Sequence, residues 1–176
     1  MPECTKPASP GNFPQIAAMG LGGLIVRFSD RLDEAANCAA IAFRAAVESE
    51  GFDGVEETAS SLGAVFVRFD PLAAEPGALS DRLSLLLRRQ DWRAAPLPHG
   101  RRRWTVPAVF DGPQLAEVAG LAGLSVEAAV AELTAAPVRV LALGFAPGLP
   151  YMGTLPPHWD IPRQIDLTRT APPPVG

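Results

Sequence analysis

The sequence predicts an α+β protein whose two domains follow one another along the chain. Three observations carry this. Strand-like alternation and helical spacing succeed each other in the order β-α-β-β-α over residues 20–93. Residues 94–100, with Pro96 and Pro98, then break all periodicity and read as a linker. Beyond them, residues 101–176 combine short strand patterns, two short helices and proline–glycine corners, as a second domain would.

Residues 1–19 precede the first regular segment and read as a flexible tail, since Met1 to Gln15 hold four prolines and few periodic apolar positions. The apolar, glycine-rich run Ile16 to Val26 lacks the clustered positive charge of a signal peptide, and Glu3 stands where that charge belongs. Leu24, Val26 and Phe28 alternate as a first strand. Ser29 or Asp30 can cap the next helix, Asp33 and Glu34 suit its first turn, and Leu32, Ala36, Ala39, Phe43 and Ala46 recur at helical spacing up to Gly51. Val55 to Thr58 is a weaker strand, with Ser60, Ser61 and Gly63 as a tight connection. Val65, Val67 and Phe69 form the clearest strand, closed by Asp70-Pro71. Leu79, Leu83 and Leu86 mark a second helix. This order fits a split βαβ, ferredoxin-like unit, whose closing strand has to come from the poorly patterned region near Trp92.

In the second half, Trp104, Val106 and Ala108 alternate as a strand that Pro107 confines to an edge or bulge. Asp111-Gly112-Pro113 turns into a short helix with Leu115, Val118 and Ala119. Ser125 caps another whose inner face is Val126, Val130 and Leu133. Val138 to Leu143 is the most apolar strand-like run and reads as buried. It leads into Gly144-Phe145-Ala146-Pro147-Gly148-Leu149-Pro150-Tyr151-Met152-Gly153. Three glycines and two prolines forbid a continuing helix or strand and produce a stiff loop of defined shape. Such a loop after a strand is a common binding surface, whereas a structural corner packed by Phe145 and Tyr151 is the simpler account on spacing alone.

Composition excludes several classes. With 176 residues, 48% hydrophobic and 19% charged, the chain is a folded one, and a net charge of −4 gives no reason to expect nucleic acid. No segment approaches the ~20 apolar residues of a membrane span. Cys4 and Cys38 have no partner at metal-ligand spacing, and a reduced cytoplasmic setting is the simpler inference. His99 and His158 sit beside prolines and suit surface loops, so no metal site is expected. Arg101-Arg102-Arg103 reads as a solvated face as readily as an anion site. No phosphate-binding glycine loop or serine nucleophile elbow is present. Arg163 and Arg169 are the best candidates for anion contact, with an ordinary salt bridge an equal alternative.

The run Gly144-Phe145-x-Pro147-Gly148-x-Pro150-Tyr151-x-Gly153-x-Leu155, followed by Pro162-Arg163, resembles the signature of the allophanate hydrolase subunit 1, or carboxyltransferase C and D, family. That family includes the B subunit of bacterial 5-oxoprolinase and the KipI inhibitor of a histidine kinase. The resemblance runs from about Gly20 onward and implies a cyclophilin-like β-barrel for residues 101–176. The chain departs from the family pattern at Phe110-Asp111-Gly112, at Pro113-Gln114-Leu115 and at Thr168-Arg169, where relatives carry a second Pro-Arg. The family's C-terminal strands are not present, so a truncated barrel is expected.

The resemblance implies ATP-driven opening of 5-oxo-L-proline to L-glutamate by a complex with A-like and C-like subunits. In that setting Gly144, Phe145, Pro147, Gly148, Pro150 and Tyr151 would line a shared surface, with Arg163 and Arg169 near developing charge. Two alternatives stay open: a KipI-like module that docks on a sensor kinase, and a fragment of a urea carboxylase-type carboxyltransferase.

Overall fold

The computed structural model describes residues 12–144, 146–153 and 155–162. It is a mixed α/β protein with two antiparallel sheets, and no closed barrel occurs among the described residues. The chain divides into two compact units. The first holds the described residues up to Arg103 together with Val140–Met152; the second holds Trp104–Arg139 and the described residues from Gly153 onward. The break falls near the proline linker, but the second unit is interrupted by a segment that belongs to the first.

In the first unit, β1 (Gln15–Ala18), β2 (Gly23–Arg27), β3 (Val55–Ser61) and β4 (Ala64–Phe69) form one sheet in the order β1-β2-β4-β3, every neighbouring pair antiparallel. α1 (Glu34–Glu50) joins β2 to β3, and α2 (Pro76–Leu87) follows β4. The fourth strand is therefore β1, drawn from residues that their prolines placed in a tail. The chain near Trp92 forms only a 3-10 turn, Trp92–Ala94. A short turn between β1 and β2 makes that pairing local, so the strand needs little apolar content of its own.

Period-two alternation sends Leu24, Val26, Val65, Val67 and Phe69 to one buried face of the sheet. Against it lie the apolar face of α1, centred on Phe43 and Val47, and Leu79, Leu83 and Leu86 of α2. Phe43 meets Phe28 and Trp92 edge-on, with ring centroids 5.6 and 5.1 Å apart. The Trp92 indole N–H donates to the Leu87 carbonyl at 3.0 Å, so its burial leaves no polar atom stranded.

The cap of α1 is Asp33 rather than Ser29 or Asp30. Its carboxylate accepts from the Ala35 and Ala36 amides, while the Ser29 hydroxyl accepts from the Arg31 amide in a turn of its own. Leu32 thereby falls outside the helix and is exposed. Gly51 ends α1 in the left-handed conformation. β3 runs on through Ser60 and Ser61, and the hairpin turns at Leu62 and Gly63 instead.

In the second unit, α3 (Leu115–Leu121) and α4 (Val126–Ala135) stand where the spacing predicts them, and Ser125 accepts from the Ala128 amide as the cap of α4. Its buried apolar residues are Ala119, Ala122 and Ala129, while Val126, Val130 and Leu133 are only partly covered. Trp159 and His158, in a 3-10 turn, both engage Glu132: the indole N–H donates at 3.0 Å and the imidazole Nε2 lies 2.8 Å from the carboxylate. Residues 104–108 form no strand, and Trp104 and Val106 are exposed. Alternation alone cannot make a strand where Pro107 withdraws a donor and no neighbouring strand offers a ladder.

Candidate functional site

The glycine–proline loop is carried by a two-stranded sheet, β5 (Arg139–Leu143) and β6 (Pro150–Gly153). The β-branched Val140 favours the first strand. Pro150 is tolerated at the start of the second, where its missing N–H interrupts no ladder. The Gly144 amide donates to the Leu149 carbonyl at 3.1 Å and closes the loop at its base. Inside it, the Ala146 amide donates to the Gly144 carbonyl at 2.8 Å and the Leu149 amide to the Ala146 carbonyl at 3.0 Å. The second of these bonds spans Pro147 and Gly148. Proline presets the first central φ, and Gly148 supplies the positive value, +76°, that a type II turn requires at the next.

The strand leading to the loop is not buried. Leu141, 6% exposed, is the buried residue of β5, whereas Val140 and Leu143 are open, Leu143 at 65%. On the other strand Tyr151 is 49% and Met152 58% exposed. Pro147, Gly148 and Pro150 are exposed as well. The hairpin thus presents apolar side chains from both strands, and the corner is not packed into the interior by Tyr151. A Cβ on Gly144 would stand 3.6 Å from the Tyr151 ring, so the ring lies close against the loop's own backbone.

Of the residues singled out in sequence, Gly144, Pro147, Gly148, Pro150 and Tyr151 are brought together on this hairpin. Phe145, Arg163 and Arg169 lie outside the described residues. Leu143, Leu149 and Met152 join the exposed surface without having been foreseen; the signal available was simply their place beside the loop. The described loop carries no carboxylate, imidazole, amine or guanidinium, and Tyr151 is its sole ionisable side chain. It can bind by shape, apolar contact and backbone hydrogen bonds, but it holds no acid–base pair. Among the described residues no cluster of His, Cys, Asp and Glu could hold a metal ion, and no single helix is long and apolar enough to cross a membrane.

The resolved pKa shifts lie elsewhere, at helix starts. The Asp33 carboxyl is lowered, chiefly by the hydrogen bond from Arg93 and then by the capped amides. Glu75 is lowered by the Gly77 and Ala78 amides that it caps. Glu127 is lowered by hydrogen bonds to its own amide and to Ser125. These are capping effects, not signs of a tuned catalytic group.

The chain is 28% identical over 160 residues to the B subunit of 5-oxoprolinase from Bacillus subtilis (strain 168), covering 85% of this chain and 67% of that protein. Among solved structures, one crystal form of TTHA0988 is similar with a TM-score of 0.64 and 30% identity over 82% of this chain. A second form gives 0.63 and 29%. The chain spans only 27% of the length of the first of these, so it corresponds to about a quarter of that molecule. The family described as carboxyltransferase domain, subdomain C and D, matches residues 14–173, and the chain belongs to that family.

Proposed function

We propose that this chain serves as the B-like component of an ATP-dependent 5-oxoprolinase and acts only together with A-like and C-like subunits. One observation carries the proposal: the loop that bears the family signature sits on an exposed apolar hairpin and has no acid–base pair of its own. Such a surface suits a shared site whose remaining chemistry comes from a companion chain. The similarity to a protein named as the B subunit of 5-oxoprolinase supplies the substrate class.

In this reading the lactam of 5-oxo-L-proline is activated by phosphoryl transfer from ATP to its oxygen, and water then opens it to L-glutamate with release of ADP and phosphate. Gly144, Phe145, Pro147, Gly148, Pro150 and Tyr151 line the shared surface. Arg163 and Arg169 stabilise charge that develops on the transferred group. We further read the first unit as ferredoxin-like, with β1 in the position that a C-terminal strand ordinarily fills. The β5–β6 hairpin then forms part of a cyclophilin-like barrel.

Co-expression with the companion subunits should give a stable complex that releases ADP only when 5-oxo-L-proline is present. A complete complex with no lactam-dependent ADP release would remove the proposal. A second reading rests on the family's own description, which is that of a carboxyltransferase domain. It predicts transfer of a carboxyl group from carboxybiotin in the same complex, with no response to 5-oxo-L-proline.

A further inference from the structure

Asn37 is the buried polar side chain among the described residues, with no accessible surface, on a face of α1 otherwise made of alanine, phenylalanine and valine. A primary amide in such a place is costly unless its hydrogen bonds are made. The Nδ2 group makes them in two directions. It donates to the Leu62 carbonyl at the β3–β4 turn, and to the Leu141 carbonyl at 2.9 Å. Leu141 is the buried residue of β5, and 104 positions separate it from Asn37. One side chain therefore ties the strand that carries the loop to a helix of the main core.

We propose that Asn37 is a positioning residue: through Leu141 it fixes where the Gly144–Pro150 loop is presented to the companion subunit. The inference rests on the reading of that loop as a contact surface. A residue needed only to fill the core would be better apolar, since burying an amide costs free energy and brings no advantage in packing. What a leucine cannot do is bond the two carbonyls at once, and so hold β5 to the β3–β4 turn through one helix position.

The test compares Asn37→Leu and Asn37→Asp in the full chain, using amide hydrogen exchange and association with the co-purified companion chain. Both variants remove the donors; the second keeps the size of the side chain. Exchange at the Gly144 and Leu149 amides should rise by roughly tenfold or more in both, with β4 and α2 unchanged. Association should weaken by a similar factor. Unchanged exchange at those two amides overturns the inference, as does a rise shared equally by the whole first unit. A local rise with undiminished association also overturns it, and in addition removes the loop from the interface. If the unaltered chain never binds the companion, the functional reading fails instead, while the exchange data still decide the anchoring. Should the leucine variant not fold, Asn37→Ala is read in the same way.

Discussion

Each of the two units is held together by its own means. The first has a continuous interior in which Phe28, Phe43, Trp92 and the strand valines interlock between one sheet and two helices. Among its described residues the second buries Ala119, Ala122 and Ala129 and relies on short helices, a serine cap and the polar cluster of Glu132, His158 and Trp159. Apolar burial stabilises in proportion to area, at roughly 25 cal/mol per Å², so alanine interiors contribute little. One sequence thus encodes both a well-filled module and, in the described part of the second unit, a sparsely filled one.

The sharpest way to break that contrast is Phe43→Ala. Its ring is fully buried and edge-on to two others, so its loss should cost about 3–5 kcal/mol in the first unit. Ala129→Gly in the second unit removes a buried methyl from α4 and adds backbone freedom, which costs about 1 kcal/mol. Segment-resolved hydrogen exchange with denaturant titration separates the two. Equal losses in both units would show that they share one cooperative core.

The helix caps allow a finer comparison, because the same chemistry occurs in each unit. Asp33→Ala removes the cap of the long, packed α1 together with its ion pair to Arg93, and should destabilise the first unit by about 1–2 kcal/mol. Ser125→Ala removes the cap of α4 and should fray that helix by about 1 kcal/mol while leaving the first unit's midpoint in place. Asp33 also sets a pH signature. Its folded-state pKa is depressed, so its contribution is complete above the unfolded value of about 3.9 and disappears as pH falls through the lower folded value. Asp33→Asn, which retains a capping oxygen but no charge, should flatten the acid limb by lowering the first unit's stability near neutrality by up to about 1 kcal/mol, while leaving it nearly unchanged once pH has fallen through the folded-state value. The Arg93 partner is well exposed, so the ion pair itself is worth no more than about 1 kcal/mol. An unchanged acid limb in urea titrations of this variant would remove Asp33 from the account.

What the sequence disclosed follows the same division. Val65, Val67 and Phe69, the leucines of α2 and the terminator Gly51 were legible because each obeys a local period or a local backbone rule. β1 was not, since Gln15–Ala18 is short, nearly featureless and defined by pairing with β2. The false strand at Trp104–Ala108 shows the converse: alternation without a partner strand. At the candidate site, Pro147-Gly148 announced the turn, but the exposure of Leu143, Tyr151 and Met152 depends on what lies beside the hairpin, which no spacing encodes. Asn37 was silent for a related reason. An asparagine within an alanine-rich helix face acquires meaning only when residues 25 and 104 positions away arrive at its amide.

The most local effect is expected at Gly148, and it isolates the loop from everything beneath it. Nothing lies within 4 Å of where a Cβ would stand, so alanine there creates no clash. Its cost is the positive φ alone, about 1–2 kcal/mol for an L-residue. Because the strain acts on the type II turn, it should appear as faster exchange at the Leu149 amide and not as a lower melting temperature of the first unit. Gly148→Asn should recover part of the loss, since asparagine tolerates the left-handed region better than alanine. A shift in the melting temperature as large as that of Asp33→Ala would mean that the hairpin is integral to the first unit's core rather than a surface feature attached to it through Leu141 and Asn37.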